Sequence, residues 1–270
     1  MNRIVLSNLT PETTIHPDDK AVILKLNEIP GFNAFLENVV ERFGESWTNV
    51  TYTGNGYGIS AESIPQIYNQ VLDDCRILGV QTSPLVSALW GYFISSKSVG
   101  GKQYRILLTS GAIDLLTAEE FDFLIGHELG HYLCGHIPYH MLVEALYMPL
   151  FNYGVGTEIA TIVKLPLLKW YRISHYSADR MGLLCCQDIN VALSAMIKMA
   201  GIPRKYYDRI NMKEFIKQSD DFDASYSHKA EKLIKELMIR SADSPWMVMR
   251  AKKLMDWYES GAYNEIINQQ

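Results

Sequence analysis

Phe123-Leu-Ile-Gly-His127-Glu128-Leu-Gly-His131-Tyr-Leu-Cys-Gly-His136 is the stretch on which the reading of this chain turns. Phe121, Leu124, Ile125, Leu129, Tyr132 and Leu133 recur at helical spacing, and Thr117-Ala-Glu-Glu120 ahead of them has the form of a capping box. A helix over about residues 118 to 134 follows. On it His127 and His131, four apart, project from one face, with Glu128 beside them. Two imidazoles so placed can share one zinc ion, and the carboxylate between them can take a proton from water on the metal. Gly126 and Gly130 each cost such a helix about 1 kcal/mol relative to Ala, which predicts a close approach of backbone or ligand over that face.

A catalytic zinc takes three protein ligands, so a third must come from elsewhere. Lys169-Trp-Tyr-Arg-Ile-Ser-His175-Tyr-Ser-Ala-Asp179-Arg180 offers His175 and Asp179, again four apart on a helix face. His136 lies five residues after His131, which on a continuing helix swings it well away from the first two. His140, Glu144 and Glu158 are formally possible, and His228 sits in a polar, Ser-rich stretch. His175 is the preferred third ligand. Arg180 is expected to pair with a carboxylate.

Upstream, Pro84 to Ser96 is apolar and β-prone, Ser98-Val-Gly-Gly101 is turn chemistry, and Gln103 to Thr109 is a second strand leading to a short helix over Ser110 to Leu116. Trp90 to Ser95 is the candidate edge for an extended substrate, with Trp90, Tyr92, Phe93 and Ile94 as contact residues; an interior strand is the equal alternative. Thr10 to Asp19 reads as an extended arm, with Asp18 or Asp19 capping a helix near Lys20 and His16 at the surface. Phe32 to Phe43 and Ile64 to Leu78 read as helices, the latter ended by Gly79, and Thr51 to Gly58 as a short strand or turn.

Residues 138–170 are the most apolar part of the chain, but Glu144, Pro149, Glu158, Lys164 and Pro166 interrupt every run before membrane-spanning length. They are expected to form a helical hairpin docked on the core, with peripheral membrane contact as the lesser reading. Leu183 to Ala200 reads as one apolar helix, and Tyr206 to Gln270 as amphipathic helices with an acidic, Ser-rich break at Ser219 to Ser227.

The chain has 270 residues, 48% of them hydrophobic, and a formal net charge of -5, which describes an ordinary globular protein and no nucleic-acid binder. Cys75, Cys134, Cys185 and Cys186 form neither a Cys-x-x-Cys pattern nor a disulfide scaffold, which fits a reducing, cytoplasmic compartment. The N-terminal residues lack an apolar signal region.

Taken together, His16-Pro17-Asp18, Ile29-Pro30-Gly31, Ile106-Leu-Leu-Thr-Ser-Gly111, His127-Glu-Leu-Gly-His131, Ser177-Ala-Asp-Arg-Met-Gly182 and Ser244-Pro245 to Arg250 resemble the HtpX-like and CAAX prenyl protease superfamily of zinc metallopeptidases, in particular soluble members that consist of the catalytic domain alone. The resemblance implies a mostly helical α+β, zincin-like fold of the gluzincin type, with a small sheet beside the metal helix. It implies one Zn2+, peptide or protein substrates, and Asp179 as the group accepting the second ring N–H of a zinc-bound histidine. Arg250 matches the family's C-terminal arginine, expected to position the site or substrate. Two positions depart from the family: His175 stands where a Glu ligand is usual, and Ser244 where a His is usual. CAAX activity is not implied, since a prenyl-binding chamber needs spanning helices.

The expected organisation is a single peptidase domain over 1–270, made of an N-terminal arm (1–19), the sheet and metal helix (80–136), the apolar hairpin (138–170) and a C-terminal helical lobe (171–270). The expected activity is a zinc endopeptidase with Glu128 as general base. The alternative is a catalytically silent or latent metal-binding protein on the same scaffold.

Overall fold

The computed structural model describes residues 3–43, 45–101, 103–147, 157–225 and 246–269. The first helices are α1 (Pro11–Thr14), α2 (Pro17–Asn27), α3 (Phe32–Phe43), α4 (Glu45–Asn55) and α5 (Pro65–Ile77), with strand β1 (Tyr57–Ile59) between the last two. Strands β2 (Leu85–Leu89), β3 (Ser96–Gly100) and β4 (Tyr104–Thr109) then lead to α6 (Ser110–Leu115) and α7 (Ala118–Leu133). After these come α8 (Ile137–Tyr147), α9 (Thr157–Cys186), α10 (Ile189–Met199), α11 (Met212–Ser225), α12 (Met247–Glu259) and α13 (Ala262–Asn268). The protein is therefore mostly helical α+β, as the sequence predicts.

The fold is organised by the contact of α7 with α9. The Thr117–Glu120 capping box starts α7, each side chain bonding the other residue's backbone N–H. A Cβ on Gly126 would lie 2.3 Å from Cβ of Cys185, and one on Gly130 2.7 Å from Cβ of Met181. The two glycines are thus where two helix backbones meet, which offsets their poor helix propensity.

The sheet has the order β1-β2-β4-β3; β2 and β4 are parallel and the outer pairs antiparallel. Edge strand β3 lies against α7. One core joins the sheet, α5, α7, the C-terminal end of α9, α10, α12 and α13 through Ile106, Leu108, Phe123, Leu124, Leu184 and Met196. A second core joins α2, α3, α8 and the N-terminal half of α9 through Leu26, Phe32, Leu142, Leu167 and Trp170. Each such side chain contributes about 1.5–3 kcal/mol when fully buried. The stretch of α9 between Trp170 and Met181 crosses the seam between the two cores, and it carries His175 and Asp179.

Several expectations change. The arm before residue 19 is not extended: α1 occupies part of it, and α2 begins at Pro17 with buried His16 as its N-cap, Nδ1 accepting from the Asp18 N–H at 3.2 Å. Asp19 therefore lies inside the helix and is buried. The second arm of the apolar hairpin does not end at residue 170 but continues to Cys186, so the boundary drawn at 170/171 falls inside one helix. The helix expected over Leu183 to Ala200 is broken at Gln187 (φ 56°), where Asp188 caps α10. α4 runs through Thr51 to Asn55, leaving only Tyr57–Ile59 as strand.

The largest change concerns the proposed substrate edge. Residues 90–95 are a loop, because polar groups at the start of α6 hold their backbone in place of a strand partner. Thr109 Oγ1 donates to the Phe93 carbonyl at 2.5 Å, Ser110 Oγ to the Gly91 carbonyl at 3.1 Å, and the Gly111 N–H to that same carbonyl at 2.8 Å. The edge strand is instead Ser96–Gly100, which includes most of the expected turn. Residues 148–156, Ser244 and Pro245 lie outside the described residues, as does the end of the acidic break. Among the described residues no helix is long and apolar enough to cross a membrane.

Candidate metal centre

α7 ends in a Schellman motif. Gly135, at φ 70°, gives its N–H to the Tyr132 carbonyl at 3.0 Å, and His136 gives its N–H to the His131 carbonyl at 2.9 Å. This turn folds the chain back, so His136 comes against His131 instead of swinging away, and α8 then returns His140 to the same place. Ring centroids of His131 lie 5.2 Å from His136 and 4.5 Å from His140.

On the other side of His131 stands the trio expected from the sequence. His131 Nε2 is 3.1 Å from His127 Nε2, and His175 Nδ1 is 3.2 Å from the same atom. Two nitrogens on one tetrahedral zinc, each about 2.0–2.1 Å from it, are about 3.3 Å apart. The donor set fits such an ion. Burial, reinforced for His131 by His140 and for His175 by Arg250, holds both imidazoles well below their ordinary pKa. They are therefore neutral, the form that ligates a metal. Nε2 of His175 is buried without a hydrogen-bond partner among the described residues.

Glu128 lies beside this trio, 2% exposed. Ser96 donates to its Oε1 at 2.6 Å and Ser98 to its Oε2 at 2.7 Å. These serines alternate on β3, so both reach the same face of the strand, and the sheet edge orients the carboxylate. The turn chemistry of Ser98-Val-Gly-Gly101 hides this pair in the sequence; alternation of two serines in an edge strand is the signal that marks it.

Asp179 accepts from the far side: its Oδ1 lies 2.8 Å from His127 Nδ1. Arg250, from α12, engages both carboxylate oxygens, Nε to Oδ2 at 2.9 Å and Nη2 to Oδ1 at 2.5 Å. Burial raises the Asp179 pKa, but Arg250 and His127 outweigh it and hold the carboxyl below its ordinary value. Arg250 is itself buried and committed to Asp179, so the geometry brings it to the support of the site and not to an open surface. Trp90, Tyr92 and Phe93 are on that surface: Trp90 is 93% exposed, and only Ile94 of the four turns partly inward against the core. Among the described residues Arg180 forms no salt bridge with a carboxylate; its Nη1 donates to the Thr14 and Ile15 carbonyls at 3.0 and 3.3 Å, and its guanidinium lies over Trp257.

Peptidase family M48 matches residues 93–257, from the loop before β3 to α12, more than half of the chain. The chain belongs to this family. It is also 25% identical over 272 residues to the plastoglobule-localized metallopeptidase 48, chloroplastic, of Arabidopsis thaliana, an alignment that covers 98% of this chain and 77% of that protein. No solved structure matches it. Membership of M48 and this relative support a metalloprotease, and they make zinc the first metal to test in the trio.

Proposed function

We propose that the protein is a zinc-dependent endopeptidase in which His127, His131 and His175 hold one metal ion and Glu128 is the general base. The observation that carries this reading is the convergence of three imidazole nitrogens beside a carboxylate already oriented by two hydroxyls. When bound, zinc would supply Lewis acidity toward the peptide carbonyl and toward water. Glu128 takes a proton from the attacking water as the C–O bond forms, then hands it to the leaving nitrogen as the C–N bond breaks. Asp179 fixes the tautomer of His127 so that Nε2 is bare, and Arg250 keeps Asp179 ionised. Neutral His175, where a carboxylate would bring a negative charge, would leave a bound ion more positive and so better able to polarise water.

Glu128→Gln is expected to retain zinc and to lose about 10²–10⁴-fold in hydrolysis of a mixed peptide library. Hydrolysis that survives in that variant would sink the mechanism. Zinc-loaded protein that cleaves nothing, with no activity raised by His175→Glu, would leave the silent metal-binding alternative standing.

The peptide is proposed to contact the exposed loop of Trp90, Tyr92 and Phe93. In that case Trp90→Ala raises KM with little change in kcat. Equal effects on both would place the loop elsewhere in the cycle.

A latent state is favoured by one observation: His127, Glu128 and His131 are all buried, and Arg180 ties the N-terminal arm to α9, the helix that carries His175. Removal of residues 1–15, the part of the arm that Arg180 holds, should then raise turnover; unchanged turnover removes this reading. Peripheral contact with a lipid surface is supported by exposed Ile162 and Leu165 on α9, and by the plastoglobule location in the plant relative's name. Failure of the protein to float with lipid vesicles would reject it.

A further inference from the structure

The three-histidine reading accounts for one ring nitrogen of His131 and leaves the other to be explained. With Nε2 facing the metal position, Nδ1 must carry the ring's proton. That atom faces His136 Nδ1 at 3.0 Å. Two ring nitrogens at this distance share one hydrogen, so one donates and the other accepts. His131 is the donor, hence His136 Nδ1 is bare and the proton of His136 sits on Nε2. There it meets Asp19 Oδ2 at 3.0 Å.

Asp19 is built to accept it. Its Oδ1 receives Trp170 Nε1–H at 2.7 Å, and its Oδ2 receives Ser177 Oγ–H at 2.5 Å as well as the His136 proton. A buried carboxyl surrounded by three donors is a carboxylate. Burial raises its pKa, but the bonds and charge from His136, Ser177 and Trp170 bring it below the ordinary value. His127 has Asp179 directly on its outer nitrogen; His131 reaches Asp19 through one intervening imidazole. The neighbouring His140 does not compete, because its Nε2 pairs with Ser174 Oγ at 2.9 Å, whose own hydrogen goes to the Tyr171 carbonyl at 2.8 Å.

We propose that Asp19 and His136 are positioning residues for His131: a hydrogen-bonded relay, anchored in α2, that fixes the tautomer and orientation of the second metal-binding histidine. The relay rests on the reading of His127 and His131 as metal ligands. It brings the N-terminal segment into the centre although Asp19 lies outside the part of the chain that matches the family. It also excludes a second ion between His131, His136 and His140, which otherwise have metal-ligand spacing, because the nitrogens that would bind it are joined by a proton.

The test is made on the full chain loaded with zinc alone. With the histidines labelled by the heavy nitrogen isotope, long-range proton–nitrogen spectra should show His131 protonated at Nδ1 and His136 protonated only at Nε2. A His136 ring protonated at Nδ1 overturns the relay. So does a second tightly bound zinc equivalent that His140→Ala removes.

Zinc affinity, read by competition with a chelator, supplies the independent arm. Asp19→Asn should weaken it about 10–100-fold, whereas Trp170→Phe, which removes a different bond to Asp19 and keeps an aromatic ring, should stay within about twofold of the parent. Equal losses in the two variants would mean that Asp19 only holds the helices together, and would overturn the relay. Wild-type protein that binds no zinc overturns the metal reading itself; zinc binding with the wrong His136 tautomer overturns the relay alone.

Discussion

Arg250 grips Asp179 with a two-pronged fork, and both side chains are buried, at 3% and 1% exposure. A buried pair of this kind adds little net stability over apolar residues of the same shape, but removing one partner strands the other. Arg250→Met should therefore destabilise the metal-free protein by about 3–5 kcal/mol, and Arg250→Met with Asp179→Asn by clearly less than the sum of the single changes. Chemical denaturation of the four species measures the coupling. Additive losses would mean that the fork carries no energy of its own.

Ser98 and Ser96 make a separate prediction about catalysis. A hydrogen bond to an ionised carboxylate is worth about 1.5–3 kcal/mol, and 1.4 kcal/mol is about tenfold in rate. Ser98→Ala should lower kcat by about tenfold and leave zinc affinity unchanged, since the hydroxyl touches Glu128 and no histidine. A matching loss of zinc would show instead that the strand supports the whole centre.

Gly126 tests whether the helix contact sets the geometry. A methyl group there would meet Cys185 Cβ at 2.3 Å, so α7 and α9 must separate. Gly126→Ala should cost about 1–3 kcal/mol by overpacking, despite the gain in helix propensity, and should weaken zinc binding because His175 rides on the displaced helix. Thermal unfolding with and without zinc reads both effects.

At the N-terminus Arg3 is shared by two carboxyl groups, Asp74 at 2.6 Å and Asp122 at 3.2 Å. Burial and the charge of Asp122 push Asp74 up to about 8, although Arg3 pulls the other way. The unfolded chain releases this proton near the ordinary value of 3.8, while the folded protein keeps it until about pH 8. The native state thus binds more protons between those limits, and its stability falls as pH rises from about 4 to about 8, then levels. Asp74→Asn should flatten that part of the stability profile. An unchanged slope would assign it to other groups.

What could be read in advance follows the range of the interactions. The metal helix, its capping box, the facing pair His127 and His131, and the need for a close neighbour at Gly126 and Gly130 are local patterns, and each is found. His175 and Asp179 were nominated by spacing within their own helix and by resemblance, and α9 brings both to His127. The failures are of another kind. The backbone of residues 90–95 is captured by Thr109 and Ser110, far along the chain, which no local β-propensity reflects. The helical arithmetic that swings His136 away from His131 stops applying at Gly135. A glycine in the left-handed region sends the next residue back toward the last turn, so Gly135-His136 was the available signal. Asp19 carried no such mark: its partners Trp170 and Ser177 lie more than a hundred residues away, and only tertiary packing brings them together.

The loop of Trp90 to Ser95 has a consequence for how such a protein can change. Its anchorage is at its base, where a side chain on residue 111 would meet the Phe93 backbone at 2.6 Å and the hydroxyls of Thr109 and Ser110 hold the main chain. The centre, by contrast, rests on two helices meeting through glycines. The aromatic tip can therefore be exchanged residue by residue without moving a single imidazole, so that, on the proposed reading of the loop as a peptide contact, preference for a target could change while the metal centre is kept.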